Sequence, residues 1–161
     1  MSSRTIIALI AVACLVAVIL YVSVTHKPDL TTQCDSALWG HVYRPERLTV
    51  LDSCTTVRGI LEGEIRERDG DIHLRLKLDS QFESMLNEKN RSAQYGDLVL
   101  EVICQSPVTQ ADAVSFCNTQ DRTWEIPPVG THVQVTGPYV LDTQHGWNEI
   151  HPVNSIQPES E

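Results

Sequence analysis

The sequence predicts a mainly β domain closed into a small barrel. Three observations carry that expectation. Apolar and polar residues alternate through several short runs, most clearly in DIHLRLKLD from Asp71 to Asp79. Turn residues such as Asp69-Gly70, Pro128 to Gly130 and His145-Gly146 separate those runs. Gly59 and Gly63 recur at alternate positions inside one run, as in a strand that bends sharply.

Taken in order, VRGILEGEIRER from Val57 to Arg68 reads as the first strand, with Val57, Leu61 and Ile65 on one face. The RDGD turn, Arg68 to Asp71, leads into the second, where Ile72, Leu74, Leu76 and Leu78 point inward and His73, Arg75 and Lys77 outward. SQFESML opens with a capping-box pattern, Ser80 to Glu83, and predicts a short helix or ordered loop. The sequon Asn90-Arg91-Ser92 then falls in a predicted loop. DLVLEVIC, Asp97 to Cys104, is a third strand. TQADAVSFC predicts a helix capped by Thr109 and ending near Cys117. IPPVGTHVQVTGPYVLD supplies a fourth strand with a bend at Gly137-Pro138, and HGWNEIHPVNSI returns as a fifth. Three strands, a helix and a hairpin is the order of the five-stranded Greek-key OB barrel.

The stretches VYRPERLTVLDSC, DGDIHLRLKLD, GDLVLEVIC, VTQADAV and HVQVTGPYVLDTQHGWNEIHPV resemble a family of small, exported or membrane-tethered OB-like domains of archaea and bacteria. The resemblance runs from Val42 to Ile156, and its last motif is the most specific. It implies the fold and the location. The family has no assigned activity, so it implies no catalytic residues.

Ahead of the domain, Thr5 to Val24 holds 20 residues without a charge. At about 1.5 Å per residue it would span roughly 30 Å, the hydrocarbon thickness of a bilayer. The expected organisation is a short cytoplasmic N-terminus (1–4), a signal anchor and single transmembrane helix (5–24), a linker and covering segment (25–54), the barrel (55–156) and a tail (157–161). Arg4 before the run, against Lys27 offset by Asp29 after it, favours an inside N-terminus and an extracytoplasmic domain.

Four cysteines follow the apolar run, Cys34, Cys54, Cys104 and Cys117, with no C-x-x-C spacing, which suits two disulfides in an oxidising compartment. Of the three connectivities, Cys34–Cys54 with Cys104–Cys117 closes two local loops. A Cys54–Cys104 bridge would join opposite ends of strands that run the same way. All 21 acidic residues lie beyond Val24 against 11 of the 12 lysines and arginines, so the outer part is net −10. Such a surface does not suit phosphate backbones, and nucleic acid is not an expected partner.

The chemistry-bearing residues gather on the strands. Period two puts Trp147, Glu149 and His151 on one face of the fifth strand, with Ile150 inward. Together with His73, Arg75 and Glu101 they form a candidate ligand face, expected to be an open external surface. His73, Glu149 and His151 are the candidate metal ligands, a set that suits zinc or copper, although no cofactor is required by any motif. HExxH and Gly-x-Ser-x-Gly do not occur in the chain. The expectation is a membrane-tethered, non-enzymatic binding module for an extracytoplasmic protein, saccharide or small molecule. The alternative is a metal-dependent hydrolase or metal-binding protein built on the His/Glu cluster.

Overall fold

The computed structural model describes residues 34–159. The expected anchor, Thr5 to Val24, lies outside the described residues, and among those described no helix is long and apolar enough to cross a membrane. Two 3-10 turns lead in, Ser36–His41 and Pro45–Arg47. Asp35 caps the first, its carboxylate accepting the N–H of Ala37 at 3.0 Å. Leu38 and Val42 then bury against Ile103, and the Cys34–Cys54 disulfide ties the segment to the first strand.

The rest is mainly β: β1 (Leu48–Arg66), β2 (Ile72–Leu78), β3 (Leu98–Val102), β4 (His132–Asp142), β5 (Asn148–Ile150) and β6 (Ser155–Pro158). The six strands make one sheet in the order β1-β2-β3-β5-β4-β6, and β1 also pairs with β4, so the hydrogen bonding runs round a ring. Only β3–β5 is parallel. Leu61, Leu74, Leu76, Leu98, Leu100, Val133, Val135 and Ile150 fill the core. These are the inward positions that alternation selects.

β1 is long because it serves two partners, β4 through Leu48 to Ile60 and β2 through Gly59 to Arg66. Gly59 belongs to both ladders. A Cβ there would lie 2.1 Å from the backbone oxygen of Lys77, so the approach of β1 to β2 requires glycine. Gly137 plays the same part where β4 meets the end of β5, a Cβ there falling 2.6 Å from the Pro152 carbonyl oxygen.

Several expectations change. The first strand begins at Leu48, not Val57, and so starts before the expected barrel boundary at Thr55 and takes in the end of the expected covering segment. An irregularity between Leu61 and Gly63 shifts the register of β1, so Ile65 pairs with His73 and stands 58% exposed instead of sharing the inner face of Leu61. Thr109 does not cap a helix. Its N–H and hydroxyl both go to the Arg68 carbonyl oxygen, which pins this loop to the β1–β2 turn and leaves only Val114–Cys117 as helix. Asn90 is not in a loop but in a helix, Glu88–Ala93, with its side chain fully buried. The expected fifth strand is split into β5 and β6 around His151 to Asn154, making six strands. Both disulfides form as expected, Cys34–Cys54 and Cys104–Cys117, although Cys54 lies inside β1.

Candidate functional site

Three neighbouring strands bring the chemistry together. Antiparallel register sets His73 of β2 opposite Glu101 of β3. Parallel pairing of Val99 with Glu149 and Leu100 with Ile150 carries the alignment on, so His151, just past β5, comes level with Glu101. The Val153 N–H donates to the Glu101 carbonyl oxygen at 2.8 Å and holds that turn in place. The inward residues on the same strands, Leu74, Leu100 and Ile150, are in the core, so alternation points the histidines and glutamates the other way.

Two hydrogen-bonded chains result. His73 Nδ1 lies 2.8 Å from Glu101 Oε1, and its Nε2 lies 3.3 Å from Gln94 Oε1. His151 Nδ1 lies 2.9 Å from Glu149 Oε1, whose other oxygen accepts the indole N–H of Trp147 at 3.0 Å. Trp147 meets the His73 ring edge-on and stacks on His145 at 4.5 Å. His145 and Arg47 both bond to the buried carboxylate of Asp142. Glu101 Oε2 and His151 Nε2 have no hydrogen-bond partner, a buried acceptor and a buried ring nitrogen left over from the two chains.

Burial governs the protonation here. It pushes the Glu101 carboxyl well above the ordinary range; Glu149 adds to the effect and His151 opposes it. Burial drives Asp71 up to about 7, again opposed by His151. For His151, burial acts downward, but the hydrogen bond and charge of Glu149, with Glu101 and Asp71, outweigh it and raise the imidazole. Glu101, Asp71 and His151 therefore hold protons more tightly than they would in water.

The expected open face is a correction. His73 and Glu101 are each 5% exposed, Glu149 1% and His151 0%, while Trp147 is half-buried over them. The cover comes from Gln94, at the end of the helix Glu88–Ala93, and from Trp147 with His145, which precede Glu149 in the same stretch of chain. Arg75 does not join the cluster. It pairs with Asp97 at 2.6 Å and lies over the Tyr95 ring. His73, Glu149 and His151 do not converge on a common point either. Among the described residues the donor atoms of three such groups gather within 4.8 Å only for Asp71, Cys104 and Cys117, where both sulfurs are in a disulfide. Asp71 was read as a turn residue, and nothing in the alternation marks it as buried.

Beside the cluster opens a cleft of about 420 Å³, lined by Tyr43, Arg44, Arg47, Arg68, Gln110 and His145, with Arg66, Glu67 and Asp69 among its other walls. Gln110 donates to the Tyr43 hydroxyl, which donates to Asp112. Arg44 lies over the Tyr43 ring at 5.0 Å. Four arginines thus line one place in an acidic domain, Arg44 paired with Asp112, Arg47 with Asp142 and Arg66 with Glu64. Compared with known proteins, the chain matches no family model and no curated protein.

Proposed function

We propose that this protein is a membrane-tethered, extracytoplasmic binding module of OB type that takes a small acidic saccharide in the cleft between the entry segment and the β1–β2 turn. The strand order, the parallel β3–β5 pair and the helix between β3 and β4 support the OB reading, with the last strand of that fold split in two. The apolar run Thr5 to Val24 and the two disulfides support the tether and the oxidising compartment. So does the resemblance to exported OB-like domains.

The cleft lining carries the functional reading. Arginines supply paired donors for a carboxylate, Gln110 and Gln144 can bond hydroxyls, and the Tyr43 and His145 rings offer flat surfaces for a sugar. Glu67 and Asp69 are walls of the cleft itself, so a short acidic sugar would sit on its arginine side, whereas a polynucleotide, longer than the cleft, would also meet Glu62 and Glu64 along β1. Burial of His73, Glu101, Glu149 and His151 favours a supporting role beneath the cleft over a hydrolytic one, since a substrate would have to displace Trp147 to reach them.

Calorimetric titration of the full-length protein in detergent tests this with three probes: a tri-galacturonate, neutral maltotriose and a thymidine dodecamer. The acidic trisaccharide should bind, and Arg44→Ala with Arg68→Ala should weaken it at least tenfold. Binding of the oligonucleotide instead, or of no acidic sugar, would refute the reading.

A further inference from the structure

We propose that the Cys104–Cys117 disulfide is redox-active, exchanging with dithiols of extracytoplasmic partners, and that Asp71 is the proton donor and acceptor for the exchange. An Asp71 carboxylate oxygen and the two sulfurs all lie within 4.8 Å of one another. The carboxylate is positioned by the cysteine it serves, because Asp71 Oδ1 accepts the backbone N–H of Cys104 at 2.8 Å. It is 3% exposed. A structural cross-link has no use for a buried acid, which is costly to keep. At the second disulfide, Cys34–Cys54, Asp52 Oδ1 likewise accepts the Cys54 N–H, at 3.0 Å, but among the described residues no carboxylate oxygen gathers with both sulfurs within 4.8 Å. Cys104 also adopts φ +57°, a left-handed conformation uncommon outside glycine, asparagine and aspartate.

The two sulfurs differ in surroundings. Both cysteines are half-buried, but Cys104 packs against the buried cluster of Leu38, Val42 and Ile103, whereas Cys117 ends the short helix Val114–Cys117. In the exchange proposed, attack falls on Cys117, the sulfur outside that cluster. A thiolate of the external dithiol bonds to Cys117 Sγ, the Cys104–Cys117 bond breaks, and its electron pair goes to Cys104 Sγ, which takes the proton of the Asp71 carboxyl. The dithiol's second thiolate then attacks its own sulfur in the mixed disulfide and expels Cys117 as thiolate, which takes a proton from water. The dithiol is oxidised to a disulfide and the cysteine pair is reduced by the same two electrons. In the reverse direction the Asp71 carboxylate removes the proton from Cys104. Burial sets Asp71 at about 7, with His151 lowering it and Asp69 and Glu67 raising it, so both protonation states are accessible near neutrality.

The test is timed reduction of the folded, full-length protein by dithiothreitol at constant thiolate concentration between pH 5.5 and 8.5, quenched by alkylation and read by peptide mapping. Cys104–Cys117 should open at least tenfold faster than Cys34–Cys54, and its rate per thiolate should fall about tenfold as pH rises through 7. Asp71→Asn should flatten that profile and slow opening at pH 6 to its pH 8 level. Equal rates for the two disulfides would overturn the proposal, as would an unchanged profile in the variant. Should the variant not fold, a flat profile in the native protein overturns it alone.

Discussion

Asp71 would titrate near pH 4 in an unfolded chain and is pushed to about 7 in the folded one. A carboxyl whose folded value is raised favours folding in its protonated form, so stability is greatest below about pH 4 for this group and declines until pH passes 7. Glu101 and His151 are raised as well and act in the same direction. Urea midpoints should therefore be higher at pH 5 than at pH 8. Asp71→Asn removes the charge without the shape, so it should stabilise the protein at pH 8 by up to about 4 kcal/mol and much less at pH 5. A variant equally displaced at both pH values would contradict this account. Asn90 is the opposite kind of buried polar residue, fully satisfied. Its amide donates to the carbonyls of Asp97 and Asn148, and its oxygen accepts the Asn148 N–H. Asn90→Ala should cost about 3 kcal/mol in the same assay, and a glycan on that nitrogen is incompatible with this packing. Which face His73, Glu101, Glu149 and His151 occupy was legible from alternation. Their burial was not, because Gln94 at the end of a helix and His145 in a turn are not placed by period two, and Trp147, read as part of an open face, lies over the cluster with His145 stacked on it.

Among the elements, β1 departs furthest from a simple strand. Its inner face follows the sequence pattern through Val57 and Leu61, and the irregularity before Gly63 then turns Ile65 outward. No local pattern announces such a shift, since one extra residue exchanges faces without changing composition. Gly59, by contrast, was legible as a bending point, and the reason lies in the Lys77 backbone oxygen. Because that oxygen belongs to the β2 main chain, Gly59→Ala must separate two ladders. It should lower stability by about 3 kcal/mol in denaturant unfolding. Alanine at Gly40, where nothing lies within 4 Å of the added carbon, is the matched control and should be close to neutral. The helix ending at Cys117 was legible in position but not in length, since Thr109 uses its donors to hold the β1–β2 turn.

Across the whole molecule, charge is divided unevenly: the acidic excess is general, while the arginines at residues 44, 47, 66 and 68 meet around one cleft. The disulfides were legible from cysteine number and spacing, and they hold two stretches outside the sheet ladders, the entry segment and the loop from Cys104 to Cys117. Cys34→Ser with Cys54→Ser should cost about 3 kcal/mol, read as a lower denaturation midpoint. The parallel β3–β5 pair bears on how such a chain is made. β5 is wedged between β3 and β4, yet it is synthesised after both. While residues 34–142 emerge, β3 and β4 present unpaired edges that nothing earlier in the described chain fills, so closure waits for residues 148–150. A nascent chain arrested before Asn148 should be cut rapidly by protease, and one extended through Pro158 should resist. Under the export proposed above, delivery of the polypeptide from one end would thus keep this domain open and unable to use its cleft until almost all of it had crossed.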